Sequence, residues 1–189
     1  MRFRKVYLEI SNICNLSCRF CPGTKRTKKS MTEEELAVLL PKIHPYTDYL
    51  YFHLMGEPLL HPKLELFLEM AGSHGFKVIL TSNGTLLKKQ QEMLLCSPAL
   101  HKINISLHAF EANDLTVPFE EYLYDCFAFG TASAGKKLVV YRLWNNGGED
   151  AQNANILDTM HRFYPDEWVQ ERNGIRIADM PRLKIKTWK

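Results

Sequence analysis

Two apolar spacings alternate along the chain. Short stretches with a period of two, at residues 6–11, 49–54, 77–81, 102–107, 138–143 and 175–178, read as strands. Between them lie longer stretches of helical period, at 33–42, 63–73, 86–95, 118–131 and 151–164. Boundary chemistry supports the division. Thr32 followed three residues later by Glu35 makes a capping box for the first helix, and Gly75, Gly130 and Gly135 sit where helices should stop. A strand–helix order repeated this way requires a parallel sheet covered by helices. The expected architecture is α/β, a partial (β/α)6 TIM-like barrel. At 189 residues the chain is too short for a closed eightfold barrel, which needs about 250.

The alternation also assigns faces. Along 102–108, Ile103, Ile105 and Leu107 share one face and Asn104, Ser106 and His108 the other. The apolar face should meet the helices, leaving a polar one for the barrel interior. Residues 50–55 repeat this, with Leu50, Phe52 and Leu54 set against Tyr51, His53 and Met55, and Arg142 interrupts an apolar strand. Polar groups buried without partners cost about 1–3 kcal/mol each, so the lumen should hold water or a polar ligand.

Composition narrows the class. Apolar residues make up 46% and the formal net charge is +3, enough for a packed core and no sign of a nucleic-acid binder. The basic N-terminus carries an apolar run cut short by Glu9, unlike a signal peptide, and no stretch is long enough to span a membrane. Five cysteines, three of them in one loop, fit a reducing compartment, and the expected location is the cytoplasm.

That loop, Cys14-Asn-Leu-Ser-Cys18-Arg-Phe-Cys21, follows the first strand. Three thiolates so close can grip one soft metal centre. A structural zinc wants a fourth ligand, whereas a cubane on three thiolates keeps one iron open. Iron–sulfur chemistry, an electron relay and a zinc-binding structural domain all remain possible from the cysteines alone. Cys96 and Cys126 fall in helices and read as spectators. The run Lys25-Arg-Thr-Lys-Lys29 is either a solvated loop or an attractor for acidic peptide or phosphate.

The C-x3-C-x2-C spacing with Phe20 before the last cysteine resembles the signature of radical S-adenosylmethionine (radical SAM) enzymes. Met55-Gly56-Glu57-Pro58 resembles that family's Gly-Gly-Glu-Pro segment, with methionine at its first glycine. Asn83-Gly84 and Ser106-Leu107-His108 resemble the segments after its third and fourth strands, with His108 in place of an aspartate. The overall pattern resembles the branch that often carries a C-terminal domain with auxiliary clusters (SPASM or twitch), without that domain.

The resemblance implies a [4Fe–4S] cluster on Cys14, Cys18 and Cys21, and S-adenosylmethionine held by Phe20, Met55, Gly56, Glu57, Asn83, Ser106 and Arg142. Reductive cleavage would give a 5′-deoxyadenosyl radical that abstracts hydrogen from a substrate. It further implies an electron donor such as flavodoxin or ferredoxin and an unidentified substrate, a peptide or protein among the candidates. Asn145 at the same rim is a further candidate, and His53 and His108 have no assigned role. Residues 1–180 are expected to form the core, with 181–189 a tail leading toward an extension.

Overall fold

A computed structural model describes residues 2–113, 117–143 and 151–165 with their side chains, and the strands Trp168–Gln170, Ile175–Ala178 and Leu183–Thr187 as backbone. Asn145 lies outside the described residues. The first five strands are β1 (Val6–Leu8), β2 (Tyr49–Phe52), β3 (Lys77–Ser82), β4 (Leu100–Ser106) and β5 (Leu138–Leu143), each parallel to the next. The helices are α1 (Glu33–Ile43), α2 (Leu64–Ser73), α3 (Leu87–Cys96), α4 (Phe119–Ala132) and α5 (Asn153–Phe163). The capping box is formed: the Thr32 hydroxyl accepts from the Glu35 amide at 3.2 Å, and the Glu35 carboxylate accepts from the Thr32 amide at 2.8 Å.

One face of the sheet makes the core. Leu50 and Phe52, Val78 and Leu80, Ile103 and Ile105, and Val139, Tyr141 and Leu143 are buried against Leu36 and Leu40 of α1, Phe67 and Leu68 of α2, Leu94 of α3, and Leu123 and Phe127 of α4. The other face carries Tyr7, Tyr51, Thr81, Lys102, Asn104 and Arg142 at the alternate positions, broken by apolar Ile79 and Val140. Asn104 is satisfied within the sheet, donating to the Leu80 carbonyl at 3.0 Å.

Two expectations change. Leu54 was grouped with the helix-facing residues, but β2 ends at Phe52, and Leu54 turns out to solvent with φ +125° and 53% of its surface exposed. The strand leaves its pleat there so that the chain can swing toward the cysteine loop.

The sixth parallel strand was expected at Ile175–Ala178. That segment is β7, antiparallel to both β6 (Trp168–Gln170) and β8 (Leu183–Thr187), and it is β8 that lies parallel to β5. The boundary expected at residue 180 is therefore crossed by the sheet. The segments 171–174 and 179–182 are too short for the crossover that parallel neighbours need, so β6, β7 and β8 can pair only antiparallel. The sheet order is β1-β2-β3-β4-β5-β8-β7-β6.

Candidate active site

The C-terminal strand ends converge on a cavity of about 370 Å³. Cys14, Cys18 and Cys21 line it together with Phe20, Met55, Gly56, Glu57, Asn83, Ser106, His53 and His108. Every residue singled out as a metal or cofactor ligand is on this wall except Arg142. That residue stands in register with Ser106, and its carbonyl accepts from His108 Nδ1 at 3.1 Å. Its guanidinium is half-buried near Tyr7 and Tyr51.

Backbone geometry explains the turn after β2. Gly56 has φ +78°, and a Cβ there would lie 2.5 Å from the Ser11 carbonyl oxygen and 2.8 Å from that of Ile13, so only glycine lets the two loops touch. The Glu57 amide donates to Ile13 at 2.8 Å across the same contact. Met55, which replaces a family glycine, does not have a positive φ; the left-handed positions fall on either side, at Leu54 and Gly56. A side chain is therefore tolerated at 55.

Glu57 is 2% exposed, and its carboxylate straps two loops, accepting from the Leu59 amide at 3.0 Å and the Asn83 amide at 2.7 Å. Burial raises its pKa to about 7 despite those hydrogen bonds. The same burial lowers the pKa of His108 and His53, favouring neutral imidazoles. Phe20 packs on the His108 ring with centroids 4.8 Å apart.

Sequence reasoning missed the residues that tie the cysteine loop down. Asn113 donates to Cys18 Sγ at 3.2 Å while its own oxygen accepts from the Ser17 amide at 2.8 Å. Asn15 accepts from Asn83 at 3.0 Å, and the Asn83 amide group also lies 3.8 Å from Cys14 Sγ. Tyr122, buried in α4, donates to the Asn83 carbonyl at 2.8 Å. Asn113 and Tyr122 belong to no motif, and Asn15 occupies one of the positions between the cysteines that the spacing leaves unspecified. Nothing in the sequence marks Asn113, which lies between Glu111 and Asp114, or Tyr122, which follows Glu120 and Glu121. In the basic loop Arg26 pairs with Glu9 at 2.6 Å and Lys29 with Glu35, while Lys28 lines the cavity.

The donor set suits an iron–sulfur cluster. Cys14, Cys18 and Cys21 are free thiols on the wall of one cavity. A cubane spreads its thiolates over separate irons, and the amide donors aimed at Cys14 and Cys18 suit sulfurs that carry charge.

The superfamily model described as "Radical SAM superfamily" matches residues 8–124. The chain belongs to the radical SAM superfamily. Members of this superfamily work with a [4Fe–4S] cluster and S-adenosylmethionine. The chain is 25% identical over 146 residues to the S-adenosyl-L-methionine-dependent 2-deoxy-scyllo-inosamine dehydrogenase of Niallia circulans, covering 74% of this chain and 55% of that one. It is 30% identical over 146 residues to the tungsten-containing aldehyde ferredoxin oxidoreductase cofactor-modifying protein of Pyrococcus furiosus, covering 72% of this chain and 38% of that one. The matched stretch thus spans about half the length of the first relative and little more than a third of the second. Streptococcus suis SuiB bound to S-adenosylmethionine shares the fold at TM-score 0.67 and 17% identity, covering 98% of this radical SAM chain and 50% of SuiB. No helix among the described residues is long and apolar enough to cross a membrane.

Proposed function

We propose that this chain reductively cleaves S-adenosylmethionine at the cavity described and uses the resulting radical to take hydrogen from a substrate. One observation carries the reading: three free cysteines stand at the mouth of a cavity whose other walls are Phe20, the Met55–Gly56–Glu57 turn, Asn83 and Ser106. Cys14, Cys18 and Cys21 would hold a [4Fe–4S] cluster, which supplies one electron and an open iron when bound. Around it the chain's own groups divide the cofactor between them. Carbonyls of the Met55–Gly56 turn and the Glu57 carboxylate receive an ammonium, since that group offers three donors and no acceptor. Phe20 offers a face to the adenine. Asn83 and Ser106 hydrogen-bond the ribose or carboxylate, and Arg142 reaches the carboxylate from behind Ser106.

In this reading the catalytic core includes the sheet through β8, beyond residue 180, and works in the cytoplasm with a flavodoxin or ferredoxin as electron donor. A peptide is a candidate substrate, supported by the common fold with SuiB, which is known bound to its precursor peptide SuiA. The test is anaerobic reconstitution with iron and sulfide, followed by dithionite and S-adenosylmethionine. The expected outcome is broad absorbance near about 400 nm and 5′-deoxyadenosine by mass spectrometry, both lost on replacing any of the three cysteines by alanine. A colourless protein, or a coloured one that forms no 5′-deoxyadenosine, overturns it.

A further inference from the structure

After the cysteine loop the chain returns antiparallel to the segment that follows β1. The Met31 amide donates to the Ile10 carbonyl at 2.8 Å, the Asn12 amide donates to the Lys29 carbonyl at 3.1 Å, and Ser11 bridges Ser30. Asn12, itself buried, fastens the same run with its side chain, donating to the Thr27 carbonyl at 2.9 Å and accepting from the Lys29 amide at 2.7 Å. Backbone held on both sides of residue 28 fixes the direction in which that side chain leaves the chain.

In an extended segment successive side chains point to opposite sides, and this one sorts its residues accordingly. Thr27, Lys29 and Met31 line a second cavity of about 810 Å³, whose other wall is α1. Lys28 instead lines the catalytic cavity, and Ser30 meets the Ser11 hydroxyl at 3.2 Å. The cations of the run divide the same way. Arg26 and Lys29, on the side of the second cavity, pair with Glu9 and Glu35. Among the described residues no ion pair includes Lys28. Of the described residues that line the catalytic cavity only Glu57 is acidic, and its carboxylate already accepts from the Leu59 and Asn83 amides. Thr24 lines the same cavity; its hydroxyl oxygen accepts from the Arg26 amide at 3.2 Å, which leaves its hydrogen free to donate.

We propose that Lys28 is a specificity-determining residue, receiving an oxyanion of the substrate, a carboxylate or a phosphate, in the catalytic cavity, with the Thr24 hydroxyl as a neutral donor. An ammonium is a compact point charge with three donors, so it takes either anion without demanding the bidentate fit of a guanidinium. The inference rests on the proposed function, in which the cofactor's ammonium goes to the Met55–Glu57 turn and its carboxylate to Arg142, so that no group of the cofactor needs Lys28. The substrate class that follows is an acidic one, held at the basic loop with its remainder directed into the cavity.

The experiment titrates the anaerobically reconstituted protein, with S-adenosylmethionine present, with citrate and, separately, with inorganic pyrophosphate. Ionic strength is kept low and constant, so that screening neither masks the charge nor imitates binding. Calorimetry should show binding of at least one anion, and which one separates a carboxylate from a phosphate ligand. K28Q should weaken that binding by about tenfold, whereas K28R and K25Q, the latter on the same loop but off the cavity wall, should retain it. In the protein of native sequence the bound anion should slow the reaction of Lys28 with an amine-reactive label, read by mass spectrometry, and leave Lys25 labelled at its original rate. That readout is independent of how the variants fold. Binding of neither anion, full binding by K28Q, or equal protection of Lys25 and Lys28 would each overturn the inference. So would a loss of affinity for S-adenosylmethionine in K28Q as large as the loss for the anion, which would make the lysine part of the cofactor's own site. A protein that makes 5′-deoxyadenosine yet ignores both anions loses only this inference; one that binds an anion at Lys28 but never cleaves the cofactor loses only the proposed function.

Discussion

At the scale of single residues, the site depends on groups far apart in the chain. Asn113 reaches Cys18 across 95 residues, and hydrogen bonds to ligand sulfurs raise cluster potentials by favouring the more negative, reduced state. Asn113→Ala should therefore shift the midpoint potential of the reconstituted cluster downward, read by a redox titration followed by electron paramagnetic resonance; an unchanged potential would deny it that influence. Glu57 gives a pH signature. Its carboxyl ionises near 4.5 in the unfolded chain but near about 7 when folded, so the folded state holds its proton longer. The stabilisation from this group is complete below 4.5 and disappears as pH rises through about 7, a change of up to about 3 kcal/mol. Denaturant midpoints for the native chain should fall relative to those for Glu57→Gln between about pH 5 and about pH 8. The cysteines, Phe20 and the Met55–Glu57 turn were legible because each motif is local. Asn113, Asn15 and Tyr122 were not, since nothing in spacing reports a partner 39 or more residues away.

At the scale of elements, alternation was a reliable guide wherever one face met helices, and β2 to β5 and all five helices lie within a few residues of their expected places. It failed where periodicity says nothing of direction. Residues 175–178 and 183–187 both alternate, and only the length of the link between them determines that they run opposite ways. The packing of α4 on β5 yields a prediction of its own. A glycine inside a helix ordinarily costs about 0.5–1 kcal/mol relative to alanine. At Gly130, however, an added Cβ would lie 2.1 Å from the Tyr141 hydroxyl and 2.6 Å from that of Tyr164. Gly130→Ala should thus lower the thermal midpoint despite its better propensity, with an overpacking cost of about 1–3 kcal/mol. Adding Tyr141→Phe, which removes the nearest hydroxyl, should recover part of the loss.

For the molecule as a whole, β8 covers the outer edge of β5 through five paired residues. Ending the chain after residue 165 would uncover that edge, and unpaired edges recruit other chains. Such a truncation should show concentration-dependent self-association by light scattering, where the full chain does not. Among the described strands β1 is paired on one side only, by β2, so the wall around the interior does not close on itself. In a sealed barrel the rim is the single doorway, and a cofactor lying across it must arrive after the substrate and depart before the product. A wall with a gap offers a side entrance, so the order in which the two molecules come and go need not be fixed.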